Sequence, residues 1–167
     1  MKTNIFTLII SIVLTGLLAT QCKTEAEKPS VKVDSLIDAN AYDATLAKRL
    51  NADEHGMKKY VMAFLKKGPK RDQDSLTVIK LQEGHMANIQ RMADEGKLIL
   101  AGPFLDDGDL RGIYIFNVET VEEAEALTKT DPAIQAGRLS MELHPWYGSA
   151  ALQEVNGIHK RISKENP

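Results

Sequence analysis

An α+β fold of β-α-β-β-α-β order is the architecture this sequence predicts, and three stretches carry the prediction. Lys59–Leu65 is a continuous apolar run, the mark of a strand covered on both faces. Asp74–Glu95 is amphipathic at helical spacing. Val78, Leu81, His85, Ile89 and Met92 share one stripe, Ile79, Met86 and Ala93 flank it, and Ser75, Lys80, Glu83, Asn88 and Arg91 take the other side. Gly112–Val118 is a second continuous apolar run, joined to the strand Lys97–Ala101 through an Asp-Asp-Gly turn, which reads as a hairpin. A second helix and an alternating last strand complete the order of the ferredoxin-like plait, whose first and third strands are central.

The chain of 167 residues, 43% of them hydrophobic, is long enough for one sizeable core. Its formal net charge of −2 gives no ground for a nucleic-acid partner. Residues 1–21 read as a signal peptide: Lys2 is followed by an apolar stretch from Ile5 to Leu18, too short and too interrupted by Thr7, Ser11 and Thr15 for a comfortable membrane span. The chain's single cysteine, Cys22, follows at the junction and has no partner for an internal disulfide. Residues 22–56 are expected to form a charged, proline-containing tether with a short helix over 41–50, where Tyr42, Leu46 and Leu50 share a face. The folded domain is placed at 57–146 and a C-terminal tail at 147–167.

Within the domain, Asp74 opens the long helix and Gly96 closes it, since only glycine enters the left-handed conformation without strain. The strand Lys97–Ala101 ends at Gly102-Pro103. Thr120 is the expected N-cap of the second helix, with Glu122 and Glu123 in its first turn. Asp131 caps a further short turn that carries Pro132 at its first position and ends at Gly137. In the last strand Leu139, Met141 and Leu143 face one way and Ser140, Glu142 and His144 the other, and the strand is expected to stop at Pro145-Trp146. The tail Ala150–Ile162 reads as a helix interrupted at Asn156-Gly157. Both helices cover one face of the sheet, so the other would carry Tyr, Met, Phe and Ile side chains into water. The expected cover is a second subunit, in a homodimer with two sheets face to face.

His85 is the residue that points to chemistry, an imidazole on the apolar face of the long helix beside a strand that ends in a Gly-Pro turn. Two readings stand: an acid-base group in a pocket, or a core histidine bonded to a backbone carbonyl. Asp131 likewise reads as a helix cap or as the acid that orients His85. The basic run Lys66, Lys67, Lys70 and Arg71 offers charge for a carboxylate or phosphate, or is simply a solvated loop. His55, His144 and His159 show no metal-ligand spacing, and neither a nucleophile motif nor a glycine-rich phosphate loop is present, so no metal and no cofactor is expected. His144 on the polar face of the last strand is placed towards a dimer cavity, and Tyr60 and Tyr114 are further candidates for lining a pocket.

Two segments resemble known families. Leu18-Ala19-Thr20-Gln21-Cys22 resembles a bacterial lipoprotein box, departing from it at Ala19, where a branched apolar residue is usual, and at Gln21, where a small one is. The resemblance implies lipidation of Cys22 and an exported protein held to a membrane through its lipid alone, in the periplasm or at the cell surface. The second resemblance lies in Tyr60-Val61-Met62, the helix with His85, Gly96-Lys97-Leu98 through Ala101-Gly102-Pro103, Asp106-Asp107-Gly108, Glu123-Ala124, Asp131-Pro132, Ala136-Gly137 and Pro145-Trp146. That ordered set, over about Met57 to Trp146, resembles the YCII-related domain. It implies a ferredoxin-like domain that pairs into a dimeric α/β barrel, with a pocket around the helix histidine and an acid beside it. Enzymatic members of the family tend to place that acid at the end of the first strand, where this chain has Leu65-Lys66-Lys67. The acids left to pair with His85 are Asp131 and, in the hairpin turn, Asp106 or Asp107. Two functions follow as expectations: a cofactor-independent lyase or isomerase acting on a small phenolic or other organic ring, or a non-catalytic dimeric module that binds a small molecule or serves a stress response.

Overall fold

The structure, a computed structural model, describes residues 41–165. The signal peptide, Cys22 and the tether up to residue 40 lie outside the described residues. A short helix α1, Ala44–Arg49, is capped by Asp43, whose carboxylate accepts the Leu46 N–H at 2.9 Å. Four strands, β1 (Met57–Lys67), β2 (Leu98–Pro103), β3 (Leu110–Phe116) and β4 (Leu139–Ser149), form one antiparallel sheet in the order β2-β3-β1-β4. With helices α2 (Ser75–Asp94) and α3 (Val121–Thr128) in the crossovers, this is the ferredoxin-like α+β fold. The two continuous apolar runs, β1 and β3, are the inner strands, because only inner strands have a neighbour on each edge and cover on both faces.

Local sequence explains where the elements start and stop. Asp74 accepts the Thr77 N–H at 3.0 Å at the head of α2. At its tail Gly96 adopts φ +68°, so that its own N–H reaches Ala93 O and the Lys97 N–H reaches Met92 O at 2.9 Å. These are the two bonds of a glycine-terminated helix end. Thr120 and Glu123 cap α3 reciprocally. On the helix-bearing face Val61, Ala63 and Leu65 of β1 meet Tyr114 and Phe116 of β3, and Met92 and Ala124 close over them. Fully enclosed side chains such as Phe116 and Met92 each contribute about 1.5–3 kcal/mol by leaving water.

Three expectations are corrected. β4 does not stop at Pro145-Trp146 but pairs with β1 over its whole length, from Met57↔Ser149 to Lys67↔Leu139. Being an edge strand, β4 has one unpaired side, so a residue without an N–H does not end it. The tail is a 3-10 turn, Ala150–Glu154, followed by a helix α5, Val155–Ile162, that runs through Asn156-Gly157 without a break. Asn156 is instead an anchor, its Nδ2 donating to Leu98 O at 2.8 Å. Asn88, assigned to the polar side of α2, is buried and accepts from Arg91 Nη2 at 2.8 Å, whereas Ile79 is 54% exposed. The helix is rotated towards the turn at Thr130, whose hydroxyl lies within 3.0 Å of Arg91 Nη2.

The tail also alters the account of the sheet's second face. Leu152 and Val155 pack over Tyr60, Ile99 and Ile115, leaving Tyr60 fully buried and Ile115 4% exposed. The chain itself therefore covers one end of that face. Met62, Phe64 and Ile113 remain only half-buried.

Candidate functional site

His85 sits eleven residues into α2 on the side turned to the sheet, and is 8% exposed. Asp131, from the far end of the α3 crossover, is fully buried beside it. The His85 Nδ1–H donates to Asp131 Oδ2 at 2.6 Å. The other oxygen, Oδ1, accepts the Ala133 N–H at 2.8 Å and so caps the short helix α4, Pro132–Gln135. A buried carboxylate needs donors for its lone pairs, and Asp131 has one on each oxygen. The helix-cap reading and the His85-partner reading of Asp131 thus coexist in one side chain.

Two unexceptional residues bring these elements together. A β-carbon built on Gly84 would lie 2.9 Å from Pro132 Cγ, closer than real contacts allow, so the absence of a side chain lets α4 settle against α2. Pro132 in turn pre-sets the first turn of α4, where its missing N–H is not needed.

A carboxylate only accepts, so the shared proton resides on Nδ1 and the neutral ring keeps its lone pair on Nε2. Tyr114 lies nearly parallel to the imidazole, with ring centroids 6.3 Å apart and planes at 20°. Its hydroxyl is 3.4 Å from Nε2, long for such a bond. Burial, and then the charge of Asp131, push the Tyr114 phenol well above its ordinary range, so the hydroxyl stays protonated.

Beside this group is a cavity of about 520 Å³, lined by His85 and Tyr114 but not by Asp131. Asp131 takes up Nδ1, which leaves Nε2, beside the Tyr114 hydroxyl, as the ring nitrogen not held by a short bond. Leu81, Met86, Ile89, Ala101 and Pro103 supply apolar wall, and Arg71, Arg111 and Arg138 supply charge. The combination of mostly apolar lining with a few convergent polar groups is that of a small-molecule site.

Of the residues singled out in the sequence, the structure brings together His85, Asp131 and Tyr114, and places Arg71 on the lining of the same cavity. The acid beside His85 comes from the α3–α4 turn, while the end of β1 carries Lys66, paired with Glu142. Asp106 lies in the β2–β3 loop, where its carboxylate accepts the Gly108 N–H at 3.3 Å, and neither it nor Asp107 lines the cavity. Tyr60 and His144 are on the opposite face of the sheet. The Tyr60 hydroxyl donates to Ser149 O at 3.0 Å, and its ring packs on Trp146. His144 Nε2 donates to Glu142 Oε1 at 2.9 Å, its ring edge-on to Phe64. Gly84, Arg111 and Arg138 were not singled out. A glycine within a helix costs about 1 kcal/mol relative to alanine and so signals a packing reason; the two arginines carry no local signal.

Residues 60–147 match the profile of the YCII-related domain. No curated protein matches the chain. Among solved structures, 5-chloro-2-hydroxyhydroquinone dehydrochlorinase from Burkholderia phenoliruptrix AC1100, in complex with 2,5-dihydroxybenzoquinone, is similar at 21% sequence identity and a TM-score of 0.39, over 52% of this chain and 92% of that one.

Proposed function

Because the chain belongs to the YCII-related domain family, we propose that it is a cofactor-independent lyase or isomerase that moves a proton on a small organic ring through His85. The observation that carries this reading is the buried 2.6 Å bond from His85 Nδ1 to Asp131 beside an apolar cavity. Nε2 accepts a proton from a carbon or hydroxyl of the bound ring, and Asp131 stabilises the imidazolium that forms. The electron pair left behind shifts through the ring. The proton then returns at another atom, which is isomerisation, or a leaving group departs with the electron pair, which is elimination. Tyr114, kept neutral by its surroundings, offers a hydroxyl for charge that develops nearby.

A panel of hydroxylated aromatics and lactones, followed for turnover and for thermal shift on the full chain and on His85→Gln, tests the proposal. Glutamine can still donate to Asp131, so the variant is expected to fold and to lose on the order of 10²–10⁴-fold in turnover. Turnover that survives His85→Gln overturns the catalytic role.

Two observations favour a second reading, a non-catalytic binding module: His85 is only 8% exposed, and its partner already serves as a helix cap. A destabilised His85→Gln with an unchanged ligand profile is the result that reading requires. On either reading the proposed assembly is a homodimer through the part of the second sheet face left by the tail. The proposed location is the cell envelope, through lipid on Cys22. Fatty-acid labelling that is equal in wild type and Cys22→Ser rejects the anchor.

A further inference from the structure

Three arginines from three distant segments line the cavity that holds His85: Arg71 before α2, Arg111 in β3 and Arg138 before β4. Among the described residues none of the three forms an ion pair with an acid. Arg49 and Arg91, by contrast, each hold a glutamate. What the three do hold is neutral. Arg71 Nη1 donates to Arg138 O at 3.0 Å, Arg138 Nη1 to Gln73 Oε1 at 3.1 Å, and Arg111 Nη1 to Asp106 O at 3.1 Å. These bonds orient the guanidiniums and leave each without a carboxylate partner among the described residues.

The backbone is built to bring them there. The loop after β1 is fastened to the turn before β4 by Gly68 N–H to Arg138 O at 2.9 Å and Lys70 N–H to Gly137 O at 3.0 Å. A β-carbon on Gly68 would stand 2.2 Å from Gly137 O, and one on Gly112 2.5 Å from Gly102 O, so both approaches depend on glycine. Partial desolvation, then the like charges of Arg138 and Arg111, hold the Arg71 guanidinium below its ordinary value, as expected for cations gathered without a counter-ion. Such gathering is unfavourable unless an anion joins it.

We infer that the ligand of this cavity is an anionic ring compound, most simply a ring carboxylate, with its oxyanion on Arg71, Arg111 and Arg138 and its apolar body against Met86, Ile89 and Pro103, next to His85. The planar fork of a guanidinium matches a carboxylate with two parallel bonds. A volume of about 520 Å³ is within the range of sites for small organic ligands. This inference rests on the cavity being the site proposed above, and narrows its substrate class to anions.

The test compares 4-hydroxybenzoate with 4-hydroxybenzamide, a neutral counterpart of matched shape, by calorimetric titration of the full chain. The acid is expected to bind about tenfold or more tightly than the amide at low salt, with the advantage shrinking as salt is added. Arg71→Gln, at an exposed position, and the double variant with Arg111→Gln are expected to lose that advantage stepwise, their folding checked by thermal melting. Equal binding of acid and amide, no binding of the acid at millimolar concentration, or an advantage left undiminished in the folded double variant overturns the inference. His85→Gln separates the two readings. An acid preference kept in that variant, with turnover also unchanged, rejects the catalytic role and upholds the anion site. Turnover that depends on His85 without any acid preference rejects the anion site alone.

Discussion

Gly84 and Pro132 touch where neither could carry more atoms: a β-carbon on Gly84 would fall 2.9 Å from Pro132 Cγ. Each is the immediate chain neighbour of one member of the His85–Asp131 pair, so the gap between α2 and α4 sets the length of the bond between them. Gly84→Ala is expected to destabilise the protein by about 1–3 kcal/mol through overpacking, although alanine is favoured over glycine by about 1 kcal/mol in a helix. Denaturant midpoints measure this, and a stabilised Gly84→Ala would show that the contact does not hold α4 in place.

Asp131 serves two partners, and substitutions separate them. Asp131→Asn keeps an oxygen for the Ala133 N–H but turns an amide donor towards His85, which then has to present a lone pair at Nδ1. It is expected to fold with a loss of about 1–2 kcal/mol and to lose most of any His85-dependent turnover. Asp131→Ala removes both bonds and is expected to cost about 2–4 kcal/mol, from a lost cap and an unpaired buried imidazole. Equal unfolding free energies for the two variants would contradict this division.

Tyr114 predicts a pH dependence with a definite sign. Its phenol is raised in the folded protein by burial and by Asp131, so between about pH 10, where an unfolded tyrosine ionises, and its higher native value, only the unfolded chain gives up the proton. The unfolded state then binds fewer protons than the native one, and stability present below pH 10 is lost as pH rises, by up to about 1.4 kcal/mol per pH unit. Tyr60, raised by burial, adds in the same direction. Tyr114→Phe is expected to flatten the decline measured by chemical denaturation between pH 9 and 11; an unchanged slope removes Tyr114 as its source.

Phe64 tests the proposed dimer. It lies on the second sheet face outside the area covered by the tail, half-buried beside His144. Phe64→Lys is expected to give a folded monomer by light scattering, since the helix-side core is untouched. A wild-type chain that is monomeric at micromolar concentration rejects the dimer outright.

Apolar periodicity and capping chemistry act over a few residues, and what depends on them was legible in the sequence. The runs of β1 and β3 announced inner strands, Asp74, Thr120 and Asp131 opened the elements expected of them, and Gly96 closed α2. Their order named the ferredoxin-like plait. Features that depend on what lies across the chain were not legible. Pro145 ends a strand only where an edge needs its N–H, and the sheet order decides that. Asn88 reads as solvent-facing because the helix spacing is local, while the turn at Thr130, whose hydroxyl donates to Asn88 Oδ1 at 2.9 Å, is 42 residues away. The choice of Asp131 over Asp106 beside His85, and the convergence of Arg71, Arg111 and Arg138, belong wholly to the tertiary structure. His85 and Asp131 are 46 residues apart in the chain, and the close approaches of Gly84 to Pro132 and of Gly68 to Gly137 join segments at least as distant, so no local interaction energy along the chain encodes such a meeting.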